Sequence, residues 1–234
     1  MELSEAQRSI IERVINAFET GKADGDYSCI SIYKDGPHDI RQITYGRSQT
    51  TEYGNLRELV QMYVEANGLY SSQLTEFTDL VGSIALTDNA EFKELLRNAG
   101  RKDPVMQKVQ DSFFEKRYFI PAMKWTDEHQ FVFPLSGLVI YDSFIHSGSI
   151  LWLIRQKFAE NPPDLDGDEM AWTTAYVRER HNWLKSHHRP AVRKSVYRTE
   201  ALMREISMGN WDLSQLPIDA NGVMVSPKVS GYPL

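Results

Sequence analysis

Ile15-Asn16-Ala17-Phe18-Glu19-Thr20-Gly21, then Ser28-Cys29-Ile30-Ser31-Ile32-Tyr33-Lys34-Asp35-Gly36-Pro37, then Gln42-Ile43-Thr44-Tyr45-Gly46 are the stretches that organise the chain. The first ends an amphipathic helix. Ser4 with Gln7 three residues on forms a capping-box start, and Ile10, Ile11, Val14, Ile15 and Phe18 recur at helical spacing. Gly21 is a natural stop. Glu19 therefore falls in the last turn, beside the apolar stripe and at the negative end of the helix dipole. Both conditions disfavour the charged carboxylate. The second stretch alternates small or polar with apolar residues, as a half-buried strand does, and Asp35-Gly36-Pro37 breaks it. Asp35 is then expected at the exposed lip of a turn, in a wet setting that favours its charged form. Taken singly, each is an ordinary surface acid. A neutral carboxyl followed by a charged one is the raw material of acid–base chemistry.

Composition sets the outer bounds. The 234 residues suffice for one large domain or two smaller lobes sharing a core. A net charge of −6 disfavours nucleic acid as a partner and suits a cationic polymer. Cys29 is the single cysteine, so no intramolecular disulfide forms, and its expected role is a small buried apolar group. No apolar run spans a membrane; Leu135 to Trp152 is interrupted by Ser136, Asp142, His146 and Ser149. Met1 to Glu5 do not read as a signal peptide, which fits an intracellular protein or a chain whose signal has been removed.

Beyond the strand the pattern is helical. Helices are expected over Leu56 to Ala66, Thr75 to Leu86, and Ala90 to Ala99 with Gly100 as its stop. A long helix over Val105 to His129 should be kinked or split by Pro121. Leu135 to Phe158 reads as a mostly buried helix started by Pro134, with Gly148 as a break. Asp168 caps Glu169 to Ser186, and Pro190 opens a last long helix to about Met208. The tail from Asn210 is expected to wrap the surface. Trp125, Trp152, Trp172, Trp183 and Tyr141 fall at core-like positions.

Asp164, Asp166, Gly167, Asp168 and Glu169 lack the glycine and glutamate spacing of a calcium loop. His187 and His188 do not face one site on a helix, and no His-Glu-x-x-His occurs. No metal and no cofactor are expected. Asp142 lies on a strongly apolar helix and needs a cation; Arg180 and Arg198 are the candidates.

Several segments, in order, resemble glycoside hydrolase family 46, the chitosanases of the lysozyme-like superfamily. They are Ala17-Phe18-Glu19; Tyr33-Lys34-Asp35-Gly36; Asn55 to Tyr63; Arg117-Tyr118-Phe119-Ile120-Pro121-Ala122; Tyr141 to Gly148; Gly167-Asp168-Glu169 with the helix bearing Arg178 and Arg180; Thr199-Glu200; and Gly209 to Leu213. The resemblance implies a mainly α, lysozyme-like fold of the α+β kind. In it, two helical lobes, with a small N-terminal β-hairpin or sheet, flank a cleft. The whole of residues 1–234 would be one catalytic domain, with a small β-containing lobe at about 25–60 and a helical lobe in the remainder.

It further implies endo-acting hydrolysis of β-1,4 bonds in chitosan with inversion, Glu19 as general acid and Asp35 as the base that activates water. Asp142, Arg180 and Arg198 would support the acid. The water-positioning threonine of the family has two counterparts here, Thr44 by chemistry and Arg41 by alignment. Arg41, Tyr45, Gly46, Asn55 and His188 would bind substrate, Asn55 standing where many members carry an aspartate. A secreted monomer is expected, with chito-oligosaccharide as partner and neither nucleic acid nor membrane. A peptidoglycan-cleaving lysozyme and a non-catalytic glycan-binding protein are the alternatives.

Overall fold

The computed structural model describes residues 1–47 and 49–228, and the chain divides into two compact units. The expected surface tail from Asn210 is thus described only to Lys228; its last six positions lie outside the described residues. The first unit comprises Met1–Ala23 with Arg117–Leu234, and the second is Asp24–Lys116.

In the first unit, α1 (Glu5–Thr20) begins with the anticipated capping box and ends on Gly21 in the left-handed conformation, φ 69°. Its buried face (Ile10, Ile11, Val14, Ile15 and Phe18) packs into a core with α7 (Pro134–Ser147) and α9 (Glu169–Ser186). Helix α7 is buried without interruption from Pro134 to Ser143. Such a helix has no polar face and belongs at the centre of a core. It stops at Gly148, φ 78°, and only the single turn α8 (Trp152–Arg155) follows, so the expected helix to Phe158 is cut short. Trp152 is accordingly 71% exposed, while Trp172 and Tyr141 are core residues. The last expected helix is likewise two pieces, α10 (Pro190–Arg193) and α11 (Val196–Ser207).

A second sheet in this unit was not expected. Strands β4 (Ile218–Ala220) and β5 (Val223–Val225) pair antiparallel around Asn221-Gly222, with φ 58° and 86°. Asn-Gly with both residues at positive φ is a favoured two-residue hairpin turn. No helix among the described residues is long and apolar enough to cross a membrane.

The second unit holds a three-stranded antiparallel sheet, β1 (Ile30–Lys34), β2 (Arg41–Tyr45) and β3 (Thr50–Thr51), in that order. Helix α2 (Leu56–Glu65) packs on β3, and α3 (Ser71–Thr75), α4 (Ala90–Lys102) and α5 (Pro104–Phe114) pack on α2 and on one another. The expected helix Thr75 to Leu86 is absent. Thr75 donates its hydroxyl back to Ser71 O at 2.8 Å, Thr78 does the same to Thr75 O, and Gly82 turns left-handed at φ 76°. These local bonds end the helix where Leu80 to Leu86 was expected to extend it. At Glu115–Phe119 the backbone opens into one π-helical turn before α6 (Ile120–Glu128). Pro121 has no N–H to give and crowds the carbonyl of Arg117, which accounts for the local widening.

Gly100 is not a stop. Helix α4 runs through it to Lys102 and ends at Asp103, which caps α5 by accepting from Val105 N at 2.9 Å. A methyl group at Gly100 would lie 2.2 Å from Tyr27 O and 2.8 Å from Ser28 Cα. The glycine is there to let the helix touch the backbone leading into β1. Replacing it with alanine would gain about 1 kcal/mol of helix propensity. Overpacking against rigid backbone costs about 1–3 kcal/mol and more at so short an approach. Gly100→Ala is therefore expected to lower the urea midpoint of unfolding; an unchanged or higher midpoint would show that the contact yields freely.

Candidate active site

In the first unit, a carboxylate that needs a cation obtains two. Asp142, on α7, is fully buried. Its Oδ2 accepts from Arg180 Nη1 at 2.5 Å, and its Oδ1 from Arg198 Nη1 at 2.5 Å. Arg180 rises from α9 and also lies 3.5 Å from Asp142 O through Nη2. Arg198, from α11, turns its other terminal nitrogen, Nη2, to Glu19 Oε1. The guanidinium lies 5.4 Å from the centroid of the Phe18 ring and 5.9 Å from that of Tyr197. Tyr197 donates its hydroxyl to Phe18 O at 2.6 Å, anchoring the last turn of α1. Glu19, Arg198, Asp142 and Arg180 thus form one connected chain of side chains.

The electrostatics follow from sharing. Burial alone would raise the carboxyl of Asp142, but Arg180 and then Arg198 more than reverse it and hold it at about 2. For Glu19 the balance goes the other way. Burial raises it above the ordinary value, Arg198 only partly offsets that, and the Asp142 charge adds to the rise. About a tenth of the Glu19 side chain remains exposed. His146, one turn beyond Asp142, is held down to about 3, by burial first and then by Arg198 and Arg180. As a neutral ring it exchanges a hydrogen bond with Ser195 Oγ at 2.9 Å through Nε2.

In the second unit, Asp35 follows the last residue of β1 and is half-buried. Its Oδ1 accepts from Gln42 Nε2 at 2.9 Å. The two residues expected to help position the water are placed differently. Arg41 faces solvent and reaches Asp88 at 3.4 Å. Thr44 is 5% exposed, and its hydroxyl makes no hydrogen bond to another described residue.

Tyr45 is buried and donates to Leu96 O at 2.6 Å. Gly46, at φ 81°, is buried against Gln110. Both are buried in the packing of the hairpin, where a substrate-binding role had been expected of them. Asn55 is half-buried at the start of α2, without a side-chain cap to that helix. His188 is exposed, with its ring stacked on His187 at 4.4 Å.

The acidic loop before α9 is consumed locally. Asp168 accepts from Ala171 N at 2.7 Å, and Glu169 accepts from Val132 N and Phe133 N at 2.9 and 2.8 Å. Two residues of the hairpin were not anticipated. Gln42 is one. Glu52, 1% exposed, is the other; it accepts from Ile43 N at 2.9 Å and Leu86 N at 2.6 Å. Only the strand register, which sets Gln42 beside the end of β1, could have exposed the first.

The profile of glycosyl hydrolase family 46 matches residues 13–218. The chain belongs to that family. It is similar to the chitosanase of Bacillus subtilis strain 168, 26% identical over 230 residues, 91% of this chain and 81% of that protein. Its fold matches the Gynuella sunshinyii GH46 chitosanase in complex with chitotetraose at a TM-score of 0.80, with 23% identity over 96% of this chain and 98% of the other. A mutant chitosanase from Bacillus subtilis MY002 complexed with 6 GlcN also aligns at 0.80, with 23% identity over 92% and 94% of the two chains. The mainly α fold with its small antiparallel sheet is that of family 46, and the chain is a glycoside hydrolase.

In this family 46 protein Asp142 ties stability to pH. Its folded carboxyl titrates at about 2, below the ordinary aspartate value of 3.8. A depressed carboxyl stabilises the fold above the unfolded value, and that contribution disappears as pH falls through the folded one. Asp142→Asn leaves two buried guanidiniums with a single carboxylate, and breaking such a pair costs about 3–5 kcal/mol. Urea unfolding at pH 7 should show that loss. The gap to wild type should narrow as the pH is lowered from about 4 towards about 2. A gap that stays constant with pH would remove Asp142 as the titrating group.

Proposed function

We propose that this glycoside hydrolase is an endo-acting chitosanase that inverts at the anomeric carbon. Glu19 serves as general acid and Asp35 as general base. One observation carries the reading: the Glu19 carboxyl is buried, and its guanidinium partner is shared with a second carboxylate. Its proton affinity is raised, as a proton donor to a leaving glycosidic oxygen requires. Asp35 stands at a turn with one oxygen bound to an uncharged amide, so no cation neutralises it through that contact. In an inverting reaction such a carboxylate takes a proton from water as the water attacks the anomeric carbon. The acid meanwhile protonates the departing oxygen, and the β-linked sugar leaves as the α-anomer.

Support for the substrate is chemical. The relatives are chitosanases, two of them described with chitotetraose or 6 GlcN. The net charge of −6 suits a polymer of ammonium-bearing sugars. Asp142, Arg180 and Arg198 act through Glu19: they fix its side chain by way of Arg198 and set its charge, and Asp142 and Arg180 are fully buried and do not meet the sugar.

Reducing ends should be released from soluble chitosan faster than from chitin or bacterial cell wall, with the α-anomer appearing first by proton NMR. Glu19→Gln and Asp35→Asn should each lower kcat by about 10²- to 10⁴-fold, the usual worth of a positioned acid or base, with the thermal melt retained. A β-anomeric first product would overturn inversion. A Glu19→Gln variant near the wild-type rate would remove the acid, and preferential lysis of cell wall would favour the lysozyme alternative.

A further inference from the structure

We propose that Gln42 is the positioning residue of Asp35: it fixes one carboxylate oxygen by a hydrogen bond and leaves the other for the attacking water. The proposal rests on the assignment of Asp35 as the base. The register brings the two together. Tyr33 pairs with Gln42, and Lys34 with Arg41, where the ladder between β1 and β2 ends. Side chains alternate along a strand, so Asp35, two residues beyond Tyr33, shares the face of Gln42 in the diagonal position. The Gly36 N–Ile40 O bond at 3.1 Å holds the backbone just beyond Asp35, and the orientation of the carboxylate itself rests on a side-chain contact.

Gln42 is only 5% exposed, and a buried amide must have both ends satisfied. Both are. Nε2 donates to Asp35 Oδ1 at 2.9 Å, and Oε1 accepts from Tyr53 N at 3.2 Å. The second bond removes the ambiguity of the amide. A backbone N–H only donates, so the group facing it must be the oxygen, and the NH₂ must face Asp35. The strand behind Gln42 is itself clamped. Glu52 donates its N–H to Ile43 O at 2.8 Å and accepts Ile43 N–H on its carboxylate at 2.9 Å. Neither Arg41, paired with Asp88, nor Thr44, whose hydroxyl bonds no described residue, supplies this restraint.

The choice of amide fits the chemistry. A neutral donor orders the carboxylate without the full charge of a guanidinium, which would weaken a base and repel a cationic sugar. With Oδ1 engaged, Oδ2 is the oxygen that receives the proton from water.

The test uses Gln42→Met, of similar length but without a donor, and Gln42→Glu, of similar shape but with an acceptor facing the carboxylate. Both are assayed on chitosan beside Asp35→Asn and the double variant Asp35→Asn/Gln42→Met, with thermal melts for each. Loss of orientation should lower kcat by about 10- to 100-fold for Gln42→Met and more for Gln42→Glu, with KM held within about twofold. In the Asp35→Asn background Gln42→Met should cost nothing further, because the residue acts only through Asp35. A purely structural role would instead multiply with the loss at Asp35. Either that result or a Gln42→Met kcat within about twofold of wild type overturns the proposal. Should the methionine variant not fold, the glutamate variant carries the same comparison. An active Asp35→Asn would instead strike the base assignment itself, an outcome separate from failure at Gln42.

Discussion

Asp142 is a carboxylate without access to water, and the arrangement around Glu19 follows from how it is kept charged. An isolated buried carboxylate would protonate instead of paying its desolvation cost. Two guanidiniums prevent that, one on each oxygen. Because Arg198 spends one arm on Asp142, only the other is left for Glu19. With Glu19 ionised the two carboxylates and two guanidiniums balance to zero, and with Glu19 protonated one positive charge is left over; in either state the division of charge is unequal. Asp142, with two cations, is held strongly acidic; Glu19, with part of one and a like charge behind it, is pushed the other way. Were Arg198 free to serve Glu19 alone, Coulomb attraction would hold that carboxyl in its charged form and spoil it as a proton donor. The second carboxylate keeps Arg198 from holding Glu19 in its charged form, as the proposed acid requires.

The hairpin solves a different problem with a different group. Asp35 sits between the last pair of the ladder and the Gly36 N–Ile40 O bond that closes the turn, and its carboxylate is anchored by an amide drawn from the neighbouring strand. The rigidity behind that amide comes from Glu52, whose backbone and side chain both engage Ile43. A two-residue β3 would be a weak edge by itself; the Glu52 carboxylate extends its hydrogen bonding by one residue and ties in Leu86.

What could be read in advance was what local chemistry decides. The capping box at Ser4, the stop at Gly21, the buried character of α7 and the disturbance at Pro121 each follow from a few adjacent residues. The cations for Asp142 were also legible, since a carboxylate on an all-apolar helix leaves few alternatives. Gly100 was misread because a glycine that ends a helix and one that admits a neighbouring backbone look alike until Tyr27 is placed beside it. Trp152 was misread for the converse reason: its position was core-like only in a helix that Gly148 terminates four residues earlier. The hairpin at Asn221-Gly222 carried its signal openly, but lay in a tail whose prolines and glycines suggested loop. Gln42 carried none, because its contact with Asp35 follows only from the register of β1 and β2.

The two anchors also differ in a way that the proposed substrate makes intelligible. A glucosamine polymer brings an ammonium on every sugar, so an uncompensated cation beside the reacting bond would oppose binding. The guanidiniums near the proposed acid are buried, and both face the Asp142 carboxylate; only the Arg198 arm at Glu19 lacks a matching charge when Glu19 is protonated. The proposed base, Asp35, is held by a group with no charge at all. Placing Arg41 at Asp35 instead would have ordered the carboxylate as well, but at the expense of its basicity and of the field the substrate meets. The structure turns that arginine to Asp88 in solvent and gives the contact to glutamine.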